Sequence, residues 1–241
     1  MHQLEKIAKK VQGCKNCKLC ETRTNAVPGK GNFDADVIFV GEAPGRNEDQ
    51  CGEPFVGAAG KKLDAILEYA GINRNDVYIT NIVKCRPPNN RIPSKEEEMV
   101  CIDFINQEIE IINPQIICVM GNTAYATLLG GKEITKNHGK IIEKDGKKFF
   151  ITFHPAATIY NQKLVDELKN DFRKLAEFLE IKDQPKQYEE RRCDYCMAKT
   201  KHEVVVMPKV VTRKRRWLFK CIDCNHERWL VPYRTVAESL Y

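Results

Sequence analysis

Four apolar residues, Val37 to Val40, run without a break into Gly41-Glu42-Ala43-Pro44-Gly45. The apolar run reads as a buried strand, and two glycines with a proline force a tight loop at its carboxyl end. Open α/β sheets place their ligands at such ends. Glu42 puts a carboxylate at the mouth of the loop. Phe55 follows in a second turn, and Gly57 and Gly60 lead into a helix. Small residues there let backbone approach a bulky ligand, with helix N–H groups facing it. Two common glycine-loop motifs are excluded. Before Lys61 the residue a phosphate loop needs as Gly is Phe55, and Lys62 stands where Ser or Thr is required. The dinucleotide fingerprint fails because Gly29-Lys30-Gly31 is followed by Asp34 at the third-glycine position.

Apolar runs over 37–41, 77–81 and 115–120 alternate with helical patterns near 58–70, 94–112 and 122–130. Such alternation implies an α/β fold, a three-layer sandwich with a central parallel sheet. Helix 94–112 starts at Ser94, with Glu97 at the capping-box position. A hairpin follows, Lys140–Glu143 and Lys148–Phe153, turned by Asp145-Gly146. Its second strand enters His154-Pro155-Ala156-Ala157. A helix over residues 163–179 closes the domain, and residues 2–12 form a short amphipathic helix.

Composition matters chiefly for the cysteines. The chain has 241 residues, eleven of them Cys, and no run apolar enough for a membrane helix or a secretory leader. A cytoplasmic location, a monomer and no membrane partner are expected. In that setting Cys pairs mean metal sooner than disulfides. The net charge of +6 leans mildly toward polyanions. Cys14 and Cys17 have the spacing of a shared metal centre, and their partners must come from elsewhere. Cys20 extends the pair to a ferredoxin-like C-x2-C-x2-C, which remains a rival set. Cys118 reads as a buried thiol, and Cys51 as free.

Residues 182–192 are polar, carry a proline and read as a linker. They divide a catalytic domain, 1–181, from a module over 193–241. There Cys193-x2-Cys196 and Cys221-x2-Cys224 flank strand-like segments, the layout of a β-rich zinc ribbon holding one Zn2+. Arg213 to Arg216, with Trp217 and Phe219, offer cations and aromatic faces to nucleic acid. His202 and His226 are expected at the surface.

Residues 14 to about 180 resemble the family 4, iron–sulfur, uracil-DNA glycosylases. The ordered motifs are C14-x2-C17, T22-R-T-N25, G41-E-A-P-G45 with E48-D49, G52-E-P-F-V-G-A-A-G60, N81-I-V-K-C-R-P-P88, C101 and H154-P-A-A157. The resemblance implies an enzyme that flips uracil out of single- or double-stranded DNA and hydrolyses its N-glycosidic bond, for base excision repair. It assigns a [4Fe–4S] cluster to Cys14, Cys17, Cys85 and Cys101, beside a DNA-facing loop with Lys84, Arg86 and Arg91. Phe55 would stack on the base, Asn81 would read its O4 and N3–H, and His154 would donate to O2. Glu42 would hold water or stabilise the positive sugar, and Gly41 with Ala43 would form the floor. Thr158-Ile159-Tyr160 would press on the DNA. Alternatives are a glycosylase for another deaminated base and a non-catalytic Fe–S/Zn scaffold. The ribbon would add affinity for nucleic acid or for a repair or replication protein.

Overall fold

A computed structural model describes residues 2–181, 187–193, 196–206, 217–221, 223–224 and 227–230. The chain divides into two compact units, 1–175 and 176–241. The basic run 213–216 and His226 lie outside the described residues.

The first unit follows the expected alternation. Its elements are α1 (Gln3–Gly13), α2 (Leu19–Thr22), β1 (Lys30–Gly31), β2 (Val37–Gly41), α3 (Arg46–Cys51), α4 (Ala58–Tyr69), β3 (Tyr78–Asn81) and α5 (Lys95–Ile112). Then come β4 (Ile116–Met120), α6 (Asn122–Leu129), α7 (Ile134–Asn137), β5 (Ile141–Lys144), β6 (Lys147–Thr152), α8 (Ala157–Tyr160) and α9 (Leu164–Ile181), which runs past the boundary between units. The sheet order is β1-β3-β2-β4-β6-β5. β3, β2, β4 and β6 are parallel, as the continuous apolar runs require, while β1 and β5 pair antiparallel at the edges. Every residue of β2 and β4 is buried, so both sheet faces are covered. Phe39 of β2 stacks on Phe172 of α9 with centroids 5.6 Å apart.

The edge strand β1 has only two residues, both exposed, so no hydrophobic pattern announces it. It depends on Gly31, whose φ is +143° and where a Cβ would stand 2.1 Å from the Val77 carbonyl oxygen. Ser94 and Glu97 form the expected capping box of α5. Cys118 is fully buried and Cys51 is exposed.

The second unit holds an antiparallel sheet in the order β10-β9-β8-β7: β7 (Gln187–Arg192), β8 (Lys199–Val206), β9 (Trp217–Cys221) and β10 (Glu227–Leu230). Here the expected linker over 182–192 is corrected. Its residues 187–192 are strand β7, paired with β8 from Gln187↔Val204 to Arg192↔Lys199. The segment reads as linker because it is polar, but an edge strand is solvated and takes its order from backbone pairing, not apolar burial. His202 is also corrected. It is buried, sits opposite Cys221 in the β8–β9 pair, and its Nδ1 donates to the Thr200 carbonyl at 3.0 Å. Among the described residues no helix is long and apolar enough to cross a membrane.

Candidate active site and cysteine centres

The carboxyl ends of β2, β3 and β6 meet at one edge of the sheet. Gly41 and Asn81 are register partners across β2 and β3. Beyond them the chain stays paired: Ile82 N–H donates to the Gly41 carbonyl at 2.9 Å and Val83 N–H to the Glu42 carbonyl at 3.0 Å. A Cβ on Gly41 would lie 2.5 Å from Asn81 Oδ1 and 2.6 Å from the Phe55 ring. Glycine is therefore what lets the Asn81 amide and the Phe55 ring converge. The Phe55 and His154 rings face each other at 5.6 Å and 28°. Phe55, Asn81 and His154 line a pocket of about 320 Å³, together with Ala43, Glu48, Gly57 and Asn90. That volume is at the low end for small-molecule sites, roughly 300–1,000 Å³.

Asn81 is 2% exposed, and its Oδ1 has no hydrogen-bond partner. A buried amide oxygen without a donor costs about 1–3 kcal/mol. Such an atom in a pocket asks for a ligand N–H. His154 Nδ1 accepts the Ala156 N–H at 3.2 Å, so a neutral ring carries its proton on Nε2. Protein surrounds the ring on most sides, with part of it open to the pocket. That desolvation, opposed by the charge of Glu48, brings its pKa down to about 4. At pH 7 the imidazole is a neutral donor.

Three residues without an assigned role in the sequence hold the candidate site residues in place. Glu48, on the unexpected short helix α3, is buried and clamps two loops. Its Oε2 accepts Gly45 N–H at 3.1 Å, and its Oε1 accepts Val56 and Gly57 N–H at 3.0 and 2.7 Å. Phe55 has φ +54°, and the Arg74 guanidinium holds it there by donating to the Pro54 and Phe55 carbonyls at 3.2 and 2.9 Å. Thr123 donates to Glu42 Oε2 at 2.5 Å. The carboxylate of Glu42 is thus held toward α6, and Glu42 is not among the residues that line the pocket. Only the Glu48 motif was visible beforehand; nothing in the sequence pairs Arg74 with Phe55. Tyr160 is 89% exposed beside the pocket.

One expected DNA-facing residue is corrected. Lys84 is 1% exposed, and its Nζ donates to Glu108 Oε2 at 2.7 Å and Thr80 Oγ1 at 2.5 Å. A buried ammonium needs a carboxylate, and Glu108 of α5 provides it. Arg86 donates to Asn90 Oδ1 at 2.7 Å, and Arg91 forms a two-armed pair with Glu97 at 2.8 and 2.7 Å.

Lys84 leads into Cys85. Cys85 and Cys101 are buried, and Cys14, Cys17 and Cys20 are half-buried. Cys85 lies in the electrostatic reach of Cys17 and Cys14, and Cys101 in that of Cys85 and Cys17. Cys20 adjoins the group through Cys17. Burial pushes the Cys101 thiol up to about 11, opposed first by a hydrogen bond from the Lys84 backbone N–H. Arg23 Nη1 donates to Cys85 Sγ at 2.9 Å. Donors aimed at buried sulfur suit thiolates held by metal, so the residues present fit an iron–sulfur centre.

Cys193, Cys196, Cys221 and Cys224 form a second set. Their sulfur atoms lie within 4.8 Å of one another, with Cys193–Cys224 at 3.6 Å and Cys196–Cys221 at 3.8 Å. Among the described residues no other group of three or more such ligand atoms is that close. Four cysteines so placed can hold a metal ion.

A sheet-edge pocket ending in an orphan amide and a neutral imidazole makes this a candidate ligand site on an α/β fold. The sequence model of the Uracil DNA glycosylase superfamily matches residues 28–180, and the chain belongs to that family. It is 45% identical to the type-4 uracil-DNA glycosylase of Archaeoglobus fulgidus over 186 residues, 73% of this chain and 94% of that one. It is 48% identical to the type-4 uracil-DNA glycosylase of Thermotoga maritima over 162 residues, 66% and 84% of the two chains. The protein of that name from Saccharolobus solfataricus is 44% identical over 192 residues, 76% and 89%.

Proposed function

We propose that this chain is a DNA-repair glycosylase that takes uracil out of the DNA stack and hydrolyses its N-glycosidic bond, leaving an abasic site. The observation that carries the reading is the buried, unpartnered Asn81 Oδ1. It supports acceptance of uracil N3–H, with the Asn81 N–H2 group donating to O4. Cytosine presents the reverse pattern and would leave both groups mispaired, at about 1–3 kcal/mol for the pair. Phe55 gives the ring a face to stack on.

Breaking the C1′–N1 bond leaves the electron pair on uracil, with charge on N1 and O2, and a cationic sugar that water captures at C1′. His154 Nε2–H, neutral at pH 7, is suited to donate to O2 as that charge develops. It need not transfer its proton. Glu42 is anchored by Thr123 just after β2, and its carboxylate would orient water or offset the sugar's positive charge. Gly41 and Ala43 would form the floor, and exposed Ile159 and Tyr160 stand where DNA would press.

Cys14, Cys17, Cys85 and Cys101 would hold the [4Fe–4S] cluster. When bound it supplies a cross-link between the N-terminal segment and the polypeptide leaving β3 and α5. The C-terminal set would hold zinc: a tetrahedral ion with Zn–S near 2.3 Å spaces its sulfurs about 3.8 Å apart. The observed 3.6 and 3.8 Å support a single ion there.

The test is uracil release from a single-uracil oligonucleotide, read as alkali-labile strand breakage. Wild type is expected to cut and Asn81→Ala to lose discrimination against cytosine. No release by cluster-loaded protein from single- or double-stranded substrate would overturn the reading.

A further inference from the structure

The segment Thr22-Arg23-Thr24-Asn25 plays no part in the chemistry above, yet it is tied at both ends. On one side Thr24 and Asn25 N–H donate to Asp49 Oδ1 at 2.9 and 3.3 Å, and Asn25 Nδ2 donates to the Asp49 carbonyl at 2.8 Å. Asp49 follows Glu48, the clamp of the base pocket. On the other side the half-buried Arg23 guanidinium reaches three groups. Nη1 donates to Cys85 Sγ at 2.9 Å, and Nη2 donates to the Cys14 carbonyl at 2.7 Å and the Gln12 carbonyl at 3.2 Å. One fork therefore binds a sulfur on the β3 exit and the backbone of the cysteine carried by the end of α1.

We propose that Arg23 is a positioning residue of the N-terminal cysteine centre: its guanidinium grips Cys85 Sγ and the Cys14 and Gln12 carbonyls together, and so sets both how firmly the centre keeps its iron and its reduction potential. The inference rests on the cluster reading of Cys14, Cys17, Cys85 and Cys101.

Two physical arguments give the directions. A hydrogen bond and a positive charge at a ligating sulfur favour the more negative, reduced state, so they raise the potential. Cys14 and Cys85 are far apart in sequence, and a fork bonded to both segments opposes their separation when a ligand opens. Lysine keeps the charge but has no planar fork that can meet a sulfur and two carbonyls at once.

The experiment uses full-length protein purified without oxygen, as wild type, Arg23→Gln and Arg23→Lys. Iron and sulfide are assayed, the midpoint potential is measured by mediated titration, and iron release to a chelator is timed. The expected result for Arg23→Gln is a midpoint shifted to more negative potential and iron release roughly 10-fold faster or more, the usual range for a lost outer-shell partner. Arg23→Lys should recover most of the midpoint and little of the retention. Equal midpoints and equal release rates in loaded wild type and Arg23→Gln would overturn the role of Arg23 while leaving the cluster reading intact. Should Arg23→Gln fail to load, Arg23→Lys releasing iron at the wild-type rate would overturn the grip. Wild-type protein without iron or sulfide would overturn the cluster reading, and this inference with it.

Discussion

The two cysteine sets are built in opposite ways. The C-terminal four come as two local pairs, Cys193/Cys196 and Cys221/Cys224, with sulfurs close enough to share one ion. The four proposed N-terminal ligands combine one local pair with single cysteines from the β3 exit and from α5, and their sulfurs are not gathered that closely. One ion needs four sulfurs around a point, whereas a cluster offers each thiolate a separate iron and so can join segments that lie further apart. The difference also reaches function. Cys85 lies four residues after Asn81, on backbone bonded to Gly41 and Glu42. The C-terminal set lies wholly in the second unit.

The largest expected effect sets these two against each other. Cys85→Ser should lose iron and fall to background uracil release, because the backbone that presents Asn81 loses its anchor. Cys221→Ser should lose the metal proposed for the C-terminal set and keep uracil release. Metal analysis beside the oligonucleotide assay checks both, and equal losses would erase the distinction. A mutation inside the pocket sharpens it. His154→Ala should retain both metals yet lower the rate of uracil release by about 10²–10³, the usual cost of one missing oxyanion donor. A smaller effect is expected further out. Arg74→Met removes two hydrogen bonds from the Phe55 turn and should lower kcat/KM by roughly tenfold or less, again with both metals in place.

A further effect is one of pH. In the folded protein His154 stays neutral down to about pH 4, while in the unfolded chain it protonates near 6.5. Between those values the unfolded state binds more protons, so stability rises with pH there and is lost as pH falls from 6.5 toward 4. The slope from this group is at most about 1.4 kcal/mol per pH unit. Subtracting the stability curve of His154→Gln from that of wild type isolates it. A flat difference would mean that the ring is not held neutral. The acid limb of kcat/KM should likewise fall near pH 4, not near 6.5.

The sequence by itself determined what is local. Apolar runs fixed β2, β3 and β4, the glycines fixed the loop after β2, and C-x2-C spacing fixed the pairing within each C-terminal knuckle. The tight turns made Gly41, Phe55, Asn81 and His154 candidates, and the ordered family motifs joined them into one site. The tertiary structure decided what depends on residues far apart in the chain. Lys84, expected to face DNA, is buried because Glu108, on another element, neutralises it. Polar residues 187–192, read as a linker, are a strand because β8 offers them backbone partners. Glu48 and Arg74 hold the Phe55 turn through hydrogen bonds whose donors and acceptors no periodicity connects. Burial at a spacing of 2 or 3.6 residues is written along the chain. A buried charge or orphan amide is settled only by what the fold brings against it.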